Sequence, residues 1–549
     1  MLKQNIVVEI EKAIKKSWKF PALSNYGGQT LTFSEVAEKI AWLHYIFRKH
    51  KIKPGDKIAL LDKNSVNWAI TYLATITYGA VIVPILPDFQ PAEIQHIVNH
   101  SDSVCLFVSD SIFEKIDESQ MPALQTIFSL KNFHILHSGN KAIDDIIESS
   151  YQNLIEDSDS AVTPENFSLK PIDNNQPAAI VYTSGTTGFS KGVVLSHNCL
   201  TANVCFAQEE LKINAGDTIV SFLPLAHAFG CSFEFLYPFI MGCHITFLRR
   251  IPSPKIIVKA FQDIRPTLIL SVPLIIEKIY KKHLKPFLNR KTTRLILSVP
   301  GINKLIYSKI NRKLSDIFGN NFKMIVIGGA ALDREVADFL KTINFRYTVG
   351  YGLTECGPLV SYAPWDDTRL FSVGRVMSFL KVKIDSDDPQ KDVGEILVRG
   401  ENVMDGYYKD EENTRAAFDE QGWLHTGDLG LLDEDGFIYI KGRSKHMILN
   451  ASGQNIYPEE IEAKLNNMPF VEESLVIEKN GKLIGKVYPD YDAVDAKGLN
   501  EQDLRKKMED IRKQLNKQLP AYSKLSRIDI FPEEFEKTPT KKIKRRLYQ

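Results

Sequence analysis

The stretch YTSGTTGFSKGV at 182–193 carries three glycines, five Ser or Thr residues and one lysine, Lys191, directly after the apolar run AAIV. Glycines let backbone N–H groups turn toward an anion, and hydroxyls and a lysine add donors and charge, so the composition suits a phosphate cradle. It is not the Walker loop of kinases and ATPases. Ser190 stands where that motif needs its second glycine, and Gly192 where it needs the magnesium-binding hydroxyl. Gly, Ser and Thr also dominate ordinary turns, so a polar hairpin accounts for the same residues. Two more glycine turns follow β-rich runs: FKMIVIGGAAL at 322–332 and YTVGYGLTECGP at 347–358. Ligands of open α/β sheets bind at the carboxyl ends of strands, which would let a flat ring approach Gly328, Gly329 and Ala330. A tight strand-to-helix turn with packing duties alone is the alternative. By itself the pair Thr354-Glu355 reads as a helix cap with a first-turn acid.

The elements that must position these residues follow from periodicity. LTFSEVAEKIAWLHYIFRKH has apolar residues at helical spacing, while PGDKIALL and SVCLFVS are short β-rich runs. Their alternation predicts an α/β layered sheet. The longest apolar stretch, AITYLATITYGAVIVPIL at 69–86, is broken by Gly79 and Pro84 and predicts a buried helix followed by a strand, not a membrane span. The N-terminal MLKQNIVVEIEKAIKKSWKF reads as an amphipathic helix and not as a signal peptide. From about residue 385 the pattern shifts to short strands and turns (GEILVRG, DEDG, GFIYIKGR), and a smaller alternating unit runs to the end. The basic KTPTKKIKRRLYQ lacks an apolar period and is expected to be an exposed tail or flexible loop. With 549 residues, several subdomains and at least one smaller domain are expected. The 68 basic and 67 acidic residues cancel to a net charge of +1, so no global field points to nucleic acid. Six cysteines without a C-x-x-C pair fit a reducing, cytoplasmic setting.

Taken together, YTSGTTGFSKGV, LPLAHAFG (223–230), GGAAL (328–332), YGLTECGP (351–358), HTGDLG (425–430), GRSKHMI (442–448), NIYPEEIE (455–462) and KTPTKKIKR (537–545) resemble, in order, the motifs of the acyl-adenylate-forming superfamily. The resemblance implies an α/β protein. Its large N-terminal domain, 1–444, would contain layered α/β subdomains and a β-rich subdomain, and a small mobile α+β domain, 445–549, would rotate about a hinge at Lys445. It implies attack of a carboxylate on the α-phosphorus of ATP, giving an acyl-adenylate and pyrophosphate, and then transfer to a thiol. Thr183, Ser184, Gly185, Thr186, Thr187 and Lys191 would wrap the β- and γ-phosphates. Gly329, Ala330, Tyr351 and Gly352 would border the adenine, Thr354 would bond the α-phosphate and Glu355 would hold Mg2+. Asp428 would accept from the ribose hydroxyls, with Arg443 nearby, and Lys542 would bridge carboxylate and α-phosphate during adenylation. Lys541 replaces the usual glycine before that lysine, and His446 replaces the usual acid after the hinge.

His227 followed by an aromatic-rich run resembles the fatty-acid-activating branch, in which this region lines the acyl pocket and places His227 at the site. Glu234, the one acid of that run, is a conceivable partner for an amino-acid ammonium. VPLIIEKIYKKH and the insertion after it resemble the long-chain fatty acyl-CoA synthetases. The expected substrates are therefore ATP, a fatty acid and CoA, with acyl carrier protein as the alternative thiol. The insertion 281–317 is rich in Lys, Arg and apolar residues. It suits peripheral contact with the inner face of an anionic membrane, and equally a solvated helical face.

Overall fold

Helical spacing and β-rich runs become the elements that the sequence predicts. The computed structural model describes residues 2–139, 162–183, 190–249, 254–299, 301–449, 454–538 and 542–549. LTFSEVAEKIAWLHYIFRKH forms the helix Phe33–Lys49, opened by a capping box in which Thr32 and Glu35 satisfy each other's backbone N–H groups. The apolar stretch at 69–86 divides at its glycine. The buried helix Val66–Tyr78 ends at Gly79, whose φ of 88° is left-handed, and the wholly buried strand Val81–Ile85 follows. Among the described residues no helix is long and apolar enough to cross a membrane. All six cysteines are buried and free of disulfides.

The chain forms two compact units. The first comprises Met1–Leu332, Phe339–Lys381 and Val398–Leu424, and the second Asp333–Asp338, Val382–Leu397 and His425–Gln549. Two large sheets build the first unit. In the eight-stranded sheet, Pro177–Thr183, Val81–Ile85, Lys57–Leu61, Ser103–Val108 and Thr126–Ser129 run parallel, with Lys191–Ser196 and Gly406–Tyr407 added antiparallel on one edge and Ile135–Ser138 on the other. In the seven-stranded sheet, Tyr347–Val349, Met324–Ile327, Leu268–Ser271, Thr218–Ser221, His244–Phe247 and Pro21–Asn25 run parallel and Thr30–Thr32 closes the edge. Parallel strands are covered on both faces, which is why they read as unbroken apolar runs. Trp68, Tyr72 and Phe235 pack as a stacked and edge-on trio in this core, with centroids 5.4–6.2 Å apart.

The second unit holds most of the four-stranded sheet ending in Leu424–Leu432 and Ile438–Arg443, and the three-stranded sheet of Val471–Lys479, Lys482–Pro489 and Arg527–Ile530. The helices Pro458–Leu465 and Glu501–Asn516 bury Ile461, Leu465, Leu504, Met508, Ile511 and Leu515 in its core. The α/β class and the pairing of a larger with a smaller unit agree with the sequence. The C-terminal segment differs from its expectation as a tail. Tyr548 meets Phe531 and Phe535 edge-on at 5.3 and 5.1 Å, its carbonyl accepts from Lys486 Nζ at 2.7 Å, and Arg545 pairs with Glu462. One aromatic ring and one partly buried cation moor a stretch whose basic composition suggested exposure.

Candidate functional site

The strands Pro177–Thr183 and Lys191–Ser196 pair antiparallel with Thr183 opposite Lys191, so these two residues flank the glycine-rich segment of the sequence. Ser184, Gly185, Thr186 and Thr187 lie outside the described residues. The Lys191 ammonium donates to Asn413 Oδ1 and stands 4.9 Å over the ring of Tyr407. Tyr407 in turn donates its phenolic hydrogen to Glu355 Oε1 at 2.9 Å. Burial, and then the charge of Glu355, push the Tyr407 hydroxyl above the ordinary tyrosine range, so it remains a donor. Lys191 and Glu355, predicted to serve the phosphates and the metal, are thus joined through a residue that the sequence did not single out.

Glu355 sits in the 3-10 turn Thr354–Cys356, with Thr354 buried. The chain doubles back tightly here. A Cβ on Gly352 would lie 2.1 Å from the Pro358 carbonyl oxygen, so only glycine fits, and the Leu353 N–H donates to that oxygen at 2.9 Å. Two buried amides hold the turn from behind. Asn402 Nδ2 donates to the carbonyls of Cys356 and Leu359 at 2.8 and 2.6 Å. Asn203 donates to Cys356 at 3.2 Å and accepts from the Leu359 N–H at 3.1 Å. The only sequence signal for Asn203 was a polar residue inside the buried helix His197–Glu210.

Beside this turn Phe206, Phe229, Phe233, Leu270, Val326 and Tyr362 line a cleft. His227, Gly328, Gly329, Tyr351 and Gly352 also line it, and Ala330 lies just beyond, exposed. Gly329 has a φ of 85°, and a Cβ on Gly328 would press on the Phe229 ring at 2.9 Å. His227 Nδ1 accepts from the Phe229 N–H at 3.4 Å and caps the short turn that starts there. Glu234, in the π-helical turn Cys231–Leu236, is fully buried, and its Oε2 accepts from the N–H groups of Phe222 and Leu223, both at 3.0 Å. Burial pushes its carboxyl well above the usual range. Asn64 completes the clamp, donating to the Leu223 carbonyl at 2.7 Å and accepting from the Leu225 N–H at 3.0 Å. The acid considered as an ammonium partner is therefore engaged with the backbone of the segment leading to His227.

In the second unit Asp428 faces Arg443 across paired strands, with Arg443 Nε 2.8 Å from Asp428 Oδ1. Asp428 is buried and Arg443 half-exposed, so one carboxylate is anchored next to an accessible guanidinium. Lys445 lies in the 3-10 turn Ser444–His446, and His446 Nδ1 contacts Glu459 Oε1 at 2.6 Å. Lys542 is exposed, and its carbonyl accepts from the Thr538 N–H at 2.8 Å. Lys541 lies outside the described residues. The first unit thus gathers Thr183 with Lys191 and Glu355 on one side, and His227, Gly329, Tyr351 and Gly352 around the cleft. The second pairs Asp428 with Arg443.

Long-chain-fatty-acid–CoA ligase FadD15 of Mycobacterium bovis is 27% identical over 547 residues, covering 90% of this chain and 86% of its own. Peroxisomal long chain acyl-CoA synthetase 7 of Arabidopsis thaliana is 29% identical over 481 residues, covering 81% of this chain and 66% of its own. The ATP-bound crystal structure of MatB from Rhodopseudomonas palustris shares the fold, with a TM-score of 0.76 and 21% identity over 99% of this chain and 98% of that one. The model of the AMP-binding enzymes matches residues 10–408, which hold both the glycine-rich segment and the Thr354–Glu355 turn, and the chain therefore belongs to the AMP-binding enzyme family.

Proposed function

We propose that this AMP-forming acid–thiol ligase activates a long-chain fatty acid with ATP, through an acyl-adenylate, and passes the acyl group to CoA with release of AMP and pyrophosphate. The observation that carries the reading is the cleft. Phenylalanines and aliphatic side chains dominate it, and among the described residues no Asp, Glu, Lys or Arg lines it. A long alkyl chain gains about 0.8 kcal/mol per buried methylene on such a surface. An amino-acid ammonium would lack a carboxylate partner there, because Glu234 does not line the cleft and one of its carboxyl oxygens accepts from the backbone N–H groups of Phe222 and Leu223. The names of the similar ligases from Mycobacterium bovis and Arabidopsis thaliana support the same substrate class.

Attack by a carboxylate on a polyanion needs positioning and charge neutralisation more than a nucleophilic side chain. Lys191 and the hydroxyls of 183–187 hold the departing pyrophosphate, and Thr354 donates to the α-phosphate. Tyr351, Gly329 and Ala330 border the adenine, and Asp428 accepts from the ribose with Arg443 beside it. His227 borders the acyl carboxylate. Glu355 fits a magnesium site. Tyr407 fixes one carboxylate oxygen, and no cluster of three His, Cys, Asp or Glu surrounds it among the described residues, so phosphate oxygens and water would complete the shell that Mg2+ prefers. Bound there, the ion would neutralise phosphate charge. Lys542 serves adenylation, and Lys445 is the hinge between 1–444 and 445–549 that permits the second step.

The purified protein is to be given Mg-ATP, either CoA or acyl carrier protein, and carboxylates from acetate to long-chain acids, with mass spectrometry of the thioesters. Long-chain acyl-CoA with AMP and pyrophosphate is expected. Products confined to short acids, or acyl carrier protein as the preferred acceptor, would overturn the reading. Lys542→Ala is expected to abolish ATP–pyrophosphate exchange while thioester formation from supplied acyl-adenylate persists. Equal loss of both refutes that division of labour.

A further inference from the structure

The insertion after the strand Leu268–Ser271 ends in two helices, Lys291–Leu297 and Ile302–Ile317. The second is moored by its C-terminal half. Ile310 and Leu314 are buried, and Asn311 Nδ2 donates to the carbonyls of Ile343 and Asn344 at 2.9 and 2.8 Å. The other end stands bare. Leu295 and Leu305 are 73% and 72% exposed, and Ile296, Val299 and Ile302 between them are 41–44% exposed. Scattered single apolar residues are normal on a soluble surface, but five bulky aliphatic side chains within eleven residues of one helical pair mark an interaction site.

The charge around these residues selects the partner. Between 278 and 315 the chain has eleven Lys and Arg and no Asp or Glu, whereas the protein as a whole carries only +1. Arg290, Lys291, Lys304, Lys309, Arg312 and Lys313 are exposed. We propose that the apolar end of this helical pair inserts into an anionic lipid bilayer, with the surrounding lysines and arginines resting on the headgroups. Aliphatic side chains entering the acyl boundary, ringed by cations that meet anionic lipid, are the physical requirements for a helix lying in a membrane interface. An acidic protein surface would answer the cations and leave the leucines in water. The inference does not depend on which acid the cleft takes.

Flotation of the full chain with phosphatidylcholine vesicles, with and without phosphatidylglycerol, tests it in the absence of substrates, so a negative result leaves the ligase reading intact. Binding to the anionic vesicles and its loss at high salt are expected. Joint Leu295→Ser and Leu305→Ser, and separately joint Lys304→Glu and Lys309→Glu, should each weaken that binding by at least about tenfold while the melting temperature and ATP–pyrophosphate exchange persist. Four outcomes would overturn the proposal. These are absence of flotation, equal flotation with neutral vesicles, undiminished flotation of both variants, and light scattering in which the leucine variant turns a dimer into a monomer. Retention of acyl carrier protein by the wild type, lost in the lysine variant without any lipid binding, would assign the surface to that acidic partner instead.

Discussion

Tyr407 joins two groups that the sequence keeps far apart, donating to Glu355 while its ring lies under the Lys191 ammonium. A hydrogen bond to a charged group contributes about 1.5–3 kcal/mol, so Tyr407→Phe should slow adenylation roughly ten- to hundredfold and raise the Mg2+ concentration needed. ATP–pyrophosphate exchange across a Mg2+ titration checks this, and an unchanged rate and metal dependence would remove Tyr407 from the site. The ring stays over Lys191 in that variant, which isolates the hydroxyl. None of this was legible in YTSGTTGFSKGV or YGLTECGP. Only the antiparallel pairing of Gly406–Tyr407 with Val193 and Val194 brings the phenol to the turn.

The segment 222–225, between the strand Thr218–Ser221 and His227, is an element without regular structure that needs an external clamp. Glu234 and Asn64 supply it: one carboxyl oxygen of Glu234 accepts from two backbone N–H groups, a role that an amide oxygen fills equally, and burial raises the proton affinity of the acid. Glu234→Gln should therefore change stability by less than about 1 kcal/mol. Glu234→Ala strands two buried N–H groups and should cost about 2–5 kcal/mol. Urea denaturation of both variants decides it, because equal effects would mean that the carboxyl does not carry these bonds. From the sequence the run after His227 resembled an acyl-pocket lining; all six residues Cys231–Leu236 are buried, and Phe233 lines the cleft. Its acid was considered as a substrate partner because periodicity reports which face is buried and not which backbone groups lie opposite.

Across the whole molecule, folding also sets a pH limit. His197 is fully buried with neither ring nitrogen hydrogen-bonded, and His44 is held among carbonyl and hydroxyl groups, and burial pushes both imidazoles down to about 4. A depressed folded-state pKa contributes stability above the unfolded value, near 6.5, that is lost as the pH falls through 4. For His197 that loss amounts to about 3 kcal/mol at the acid end, so denaturation midpoints should fall steadily between about pH 6.5 and 4, and His197→Gln should flatten the fall. A midpoint independent of pH over that range would refute it. The sequence by itself determined the α/β class, the helix and strand identities, and the chemical types at the glycine-rich segment and the Thr354-Glu355 turn, because periods of 3.6 and 2 and glycine turns are local properties. Tertiary structure alone decided that Asn203, Asn402 and Tyr407 hold that turn, that Glu234 clamps a loop, that Tyr548 moors the C-terminus, and that five aliphatic side chains remain in solvent among cations. Those outcomes depend on which distant residues the sheet topology makes neighbours, and no local pattern encodes that.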